Sequence, residues 1–189
     1  MGSVKAVDAH YETHFGAEPE YWKFENRLGT IGVLEWPKGT SRHPFHLYAT
    51  LGLHALVPAP LNHAHGFELY TCVSTGSEKV RAAFGMMAND LISDGTFLEP
   101  GHLVTPEEGR IFADLRFRSW LMLERVDDFI PPLQLENRHH VVFLDATPVF
   151  PEEASIVKEH GLDGLFDLWD EDPPRLSGLN RNLPGPLGA

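Results

Sequence analysis

Residues 66–73, GFELYTCV, put Phe67, Leu69, Thr71 and Val73 on one parity and Glu68, Tyr70 and Cys72 on the other. A period of two belongs to a β-strand, and mostly apolar side chains on both parities ask for cover on both faces. A helix is the natural cover. The stretch SEKVRAAFGMMANDLIS supplies one, with Val80, Ala83, Phe84, Met87 and Leu91 along one stripe and Ser77 as its N-cap. Strand and helix together constrain the chain to a sheet with at least one helix packed on it, and they place Cys72 inside.

The rest of the chain extends that pattern. VDAHYETHFG has weak helical character and ends at Gly16. GTIGVLEWPKG reads as a strand closed by Pro37 and Gly39, and FHLYATLGL as the next. VPAPLNHAHG is rich in turn formers and forms the loop before the 66–73 strand. Three further extended segments follow, IFADLRF, SWLMLERV and HHVVFLDATPVF. PEEASIVKEHG then begins a helix with Pro151 at its first position, Glu152 and Glu153 behind it and Gly161 at its stop. LDGLFDLWDEDPP adds a short amphipathic turn. The expected class is α/β (α+β), a mixed β-sheet with helices packed on its faces. One domain is expected over residues 1–175, with 176–189 as a Gly/Pro-rich tail.

Composition narrows the function. The 189 residues carry 15 basic and 27 acidic side chains, a net charge of −12 with neutral histidines, which argues against a phosphate backbone and for a basic partner. Cys72 is the single cysteine, so no disulfide forms within the chain and a reducing, cytoplasmic setting is expected. No stretch has the unbroken apolar length of a signal peptide or a membrane helix, and Ala6 stands where an N-myristoylation motif needs Ser or Thr.

Catalytic signatures are sparse. There is no nucleophile elbow, P-loop or dinucleotide fingerprint. Neighbouring acids such as Glu107 and Glu108 read as solvated surface. His63 and His65 would share a side if 62–66 were extended, a spacing that metal sites use. Glu68 falls on the other parity, and the cupin spacing of His-x-His to Glu is one residue short. A small metal-dependent enzyme using His63, His65 and His102 therefore remains the alternative to a chain with no catalytic residue and no cofactor. Glu68 on an otherwise apolar strand is expected to be paired, with Arg116 or Arg118 as the nearest candidates by type.

The order of motifs resembles a known family. YATLGL, GFELYTCV, an amphipathic helix, GTFLEPGHLV, SWLMLERV and VVFLDATPVFPEEASIVKEHGLDGLFDL, across roughly residues 28–170, are similar to the suppressor-of-fused domain in its short bacterial form. The resemblance implies a compact suppressor-of-fused-like sandwich without a cofactor. In animals such domains bind and restrain a transcription factor, and bacterial members are proposed to be immunity proteins that neutralise toxins. It implies a protein-binding module, an inhibitor or immunity-type protein, and not an enzyme.

Where a partner would dock is suggested by charge. From Pro151 to Pro174 the chain carries eight acidic residues against Lys158 alone, a net −7 of the total −12. Trp169 is interleaved with Asp170, Glu171 and Asp172, an aromatic inside an acidic rim. The strands around Tyr48 and Glu68 are the second candidate surface.

Overall fold

A computed structural model describes residues 2–61, 63, 65–107, 115–124, 129–135 and 139–171, with the backbone alone at Glu171. Helix α1 (Gly2–Phe15) leads into a hairpin of β1 (Glu20–Asn26) and β2 (Gly29–Trp36), then β3 (His46–Leu51), the short α2 (Leu53–Leu56) and β4 (His65–Val73). Helix α3 (Glu78–Asp94), β5 (Leu103–Val104), β6 (Ser119–Leu123), β7 (Leu133–Gln134), β8 (His140–Val149) and α4 (Pro151–Glu171) complete it. The sheet runs β1-β2-β3-β4-β8-β6-β5, with β7 also on β8. Every pairing is antiparallel except β4 with β8, which is parallel in the register Phe67↔Val142 and Leu69↔Leu144. The sheet is mixed, with helices on both faces, as the sequence leads one to expect.

Alternation along the central strands builds two cores. Ile31, Val33, Phe67, Leu69, Val73 and Leu144 point to α3, where Val80, Phe84, Met87 and Leu91 meet them. Leu34, Trp36, Leu47, Ala49, Tyr70 and Phe143 point the other way, to Val7, Tyr11 and Phe15 of α1. Cys72 is buried on this second side. Both parities of β4 are therefore covered. Leu121 and Val149, on the α1 side by alternation, carry Ala154, Leu165, Leu168 and Trp169 of α4.

The helix ends obey their sequence signals. Ser77 Oγ accepts from Val80 N at the start of α3, and Gly95, at φ 63°, closes it in the left-handed region that glycine adopts without strain. Gly16 (φ 74°) ends α1. Gly161, expected as a stop, instead interrupts: its φ of 73° and ψ of −169° break α4 into two helical pieces. Glu153 joins them. Its Oε2 accepts the Phe150 N–H at 2.8 Å, as the third residue of a capping box does, and its Oε1 accepts the Trp169 indole N–H at 3.0 Å.

The sequence reading misses β1 and α2. Of the segment IFADLRF, residues 111–114 lie outside the described residues, and 115–117 are not strand. The tail 176–189 also lies outside them. No helix among the described residues is long and apolar enough to cross a membrane.

Candidate functional site

Glu68 is the most deeply buried acid of the sheet, with no exposed surface. The β3–β4 ladder stops at Ala49↔Tyr70, and beyond it side chains take over the pairing. Thr50 Oγ1 accepts the Leu69 N–H at 2.8 Å and donates to Glu68 Oε2 at 2.5 Å. Glu68 Oε1 accepts the backbone N–H of Gly52 at 2.9 Å and of His54 at 3.2 Å, and faces His54 Nδ1 at 2.5 Å. Helix α2 has no cap from Gly52, its own N-cap residue. Glu68 takes that role from the neighbouring strand, satisfying donors that a helix start otherwise leaves open. The expected arginine partners are thus replaced by His54. Arg116 and Arg118 instead sit near Phe150 and on the Leu115 and Phe117 carbonyls. Nothing in the sequence order singles out His54. It reaches Glu68 only because Gly52, at φ 106°, turns the chain back over the strand.

Beside this node lies a cavity of about 370 Å³ walled by His54, His63, His65, His139 and His140. The His63 and His65 rings stand 5.2 Å apart, and His65 is 5.2 Å from His140. Burial, with His140 and His63 beside it, holds the His65 imidazole below its ordinary pKa. His65 is already the first residue of β4 rather than part of the loop. His102 does not join this group: it lines a separate cavity of about 600 Å³ between the C-terminal half of α3 and β5, and its Nδ1 accepts the Glu99 N–H at 3.2 Å. The set His63, His65 and His102 is therefore split between two cavities. Among the described residues no three His, Cys, Asp or Glu side chains converge as a metal site.

A second charged cluster braces the sheet near β1. Glu35 is buried between His46 Nε2 and Arg81 NH1, both at 2.8 Å. Burial pushes its carboxyl up, but the hydrogen bonds from Arg81 and His46 outweigh that and leave it below the usual carboxylate range. Tyr48 is interior too. Its hydroxyl accepts the Ser77 N–H at 2.9 Å, which ties β3 to the start of α3, and burial raises its pKa.

The predicted docking residues divide sharply. Tyr48 and Glu68 have no exposed surface and offer nothing to a partner. Trp169 is buried against Leu121 and Val149, its indole N–H spent on Glu153, so it is not a surface anchor. Asp170 is exposed; the Glu171 side chain and all of Asp172 lie outside the described residues. The aromatic of α4 that does reach solvent is Phe166, 39% exposed. Leu165, Leu168 and Trp169 form the inner stripe of this helix and Asp163, Phe166, Asp167 and Asp170 the outer one. That spacing was available in the sequence and places Trp169 inside.

The sequence pattern of the Suppressor of fused protein family (SUFU) matches residues 28–182. The chain belongs to the suppressor-of-fused family. Solved structures agree at the level of the fold. A suppressor-of-fused homolog from Neisseria gonorrhoeae superposes with a TM-score of 0.66 at 16% identity, covering 94% of each chain. The Sufu-Fu complex structure gives 0.67 at 12% identity, over 95% of this chain and 90% of that one. Drosophila Suppressor of Fused gives 0.60 at 11% identity, over 89% of this chain and 46% of its own. Among curated proteins compared by sequence, none matches. In this suppressor-of-fused chain the Glu68 node is buried inside the sheet, whereas the outer stripe of α4 faces solvent.

Proposed function

We propose that this suppressor-of-fused chain is a non-catalytic protein-binding module, an inhibitor or immunity-type protein that engages a basic partner such as a toxin domain. The observation that carries the reading is the outer stripe of α4, where Phe166 stands exposed among Asp163, Asp167 and Asp170. An apolar ring supplies contact area that stays buried after docking, while the surrounding carboxylates speed encounter with positive charge. Trp169 acts behind this surface: its ring lies 5.9 Å from that of Phe166 and fixes the helix that presents it. The fold supports the reading, since the Sufu-Fu structure is of a relative in a complex. The net charge of −12 supports a basic partner. The reading takes residues 1–175 as the folded module, 176–189 as its tail, and the cytoplasm as its setting, the last supported by a lone cysteine without a disulfide.

The test is kinetic. A basic partner captured on the immobilised chain and identified is bound to wild type, to Phe166→Ala, and to the triple variant Asp163→Asn, Asp167→Asn, Asp170→Asn. The triple variant should slow association and flatten its salt dependence, and Phe166→Ala should mainly speed dissociation. Unchanged rates and salt response in both variants would reject α4 as the docking surface.

A further inference from the structure

The two edges of the sheet are built differently. On one side β5 is two residues long, a short edge of the kind that resists further pairing. On the other, β1 runs seven residues, EYWKFEN, paired without interruption to β2 from Glu20↔Glu35 to Asn26↔Gly29. It holds no proline and no bulge, and among the described residues only β2 pairs with it. Three of its residues are aromatic, and Tyr21 and Trp22 are 51% and 38% exposed. A long, regular, aromatic edge is a template for another strand.

The edge is also held ready. Phe24 seats its ring against Gly85 of α3, in space that a Cβ there would occupy, and Arg81 lies 3.6 Å over the Trp22 ring. Both contacts fix the strand from the α3 side, so little ordering remains to be done on association. On the opposite side Lys23 and Glu25 are exposed, two residues apart on one face, and neither makes an ion pair with a described residue.

We infer that β1 is a homodimer interface, through which two copies of this chain join their sheets edge to edge about a two-fold axis at Phe24. The charge pattern favours a second copy as the occupant. Antiparallel strands related by an axis at Phe24 place Lys23 opposite Glu25 of the second copy and Glu25 opposite its Lys23, so that the two charges of each chain, neither in an ion pair with a described residue, become two cross-strand pairs. Phe24 then faces its own counterpart, and Trp22 faces Asn26, whose amide is already held by Asn89 and Ser93. The other occupant, a strand of a different protein, would not be served by this self-complementarity. The inference is independent of the α4 surface.

Sedimentation of the full chain, from micromolar to millimolar, reads the result. Wild type should dimerise, and Lys23→Glu or Glu25→Lys, each turning two attractive pairs into two repulsive ones, should weaken the dimer by about tenfold or more. Mixing the two single variants in equal amounts should restore a heterodimer, since every pair across the axis is again Glu with Lys; the double variant should restore the homodimer. Both residues are exposed, and a melting curve for each variant checks that it folds. A wild-type chain that stays monomeric at millimolar concentration overturns the inference. So does a dimer indifferent to the single changes, or one that mixing fails to restore.

Discussion

Removing the Glu68 carboxylate tests the central node most directly. Its oxygens accept from Thr50, Gly52, His54 N and His54 Nδ1. In Glu68→Ala the Thr50 hydroxyl can turn to the Leu69 carbonyl, 3.4 Å away, whereas the other nitrogen of the His54 imidazole is buried with no partner among the described residues. The backbone N–H groups of Gly52 and His54 have no such escape. A buried donor left unsatisfied costs about 1–3 kcal/mol, so the two together should cost about 2–6 kcal/mol before any cavity is counted. Glu68→Gln keeps one oxygen for those donors but gives up the acceptor that the Thr50 hydroxyl uses and the strengthening that charge gives, which should cost about 1–2 kcal/mol. Urea unfolding followed by circular dichroism measures both. If alanine cost no more than glutamine, or less than about 1 kcal/mol, capping of α2 by Glu68 would be refuted.

Two further changes probe the periphery. Trp169→Phe removes the indole N–H that Glu153 Oε1 accepts, and the loss of this buried hydrogen bond should cost about 1–3 kcal/mol in the same assay; a variant that unfolds with the parent would show that the two pieces of α4 are not joined there. For His65, burial and the neighbouring His140 and His63 lower the folded-state pKa from 6.5, so the unfolded chain binds more protons as the medium acidifies. Stability should fall as pH drops through about 6.5 towards the folded value, and His65→Gln should flatten that slope; equal slopes in melting temperature against pH would assign the titration elsewhere.

What could be read from sequence follows burial. Strand β4 and helix α3 were legible because each lies against packed core on a regular period: Phe67 and Leu69 on one parity, Val80, Phe84, Met87 and Leu91 on one stripe. Strand β1 was not, since EYWKFEN lies on an exposed edge and carries aromatics on both parities, Trp22 and Phe24 on one and Tyr21 on the other, mixed with charge. The need of Glu68 for a partner is readable from its place on an apolar strand, but the partner depends on where Gly52 turns the chain, a long-range matter that residue type cannot decide. On α4, proximity in sequence misleads about which ring faces solvent. Trp169 stands beside Asp170 along the chain yet a third of a turn away around the helix, and the solvent-facing ring is Phe166.

The single parallel junction has a consequence for synthesis. Strands β1 to β4 form an antiparallel run whose pieces emerge one after another, but β4 must wait for β8. Until residues 74–139 have left the ribosome, the far edge of β4, with Phe67 and Leu69 on it, has no neighbour inside its own chain. Contacts so distant along the chain form slowly, and an unpaired hydrophobic strand is exposed meanwhile to any other nascent strand nearby. The middle of this sheet, the most protected place in the finished protein, is its last to be sealed, and the yield of a newly made chain depends on how quickly β8 arrives.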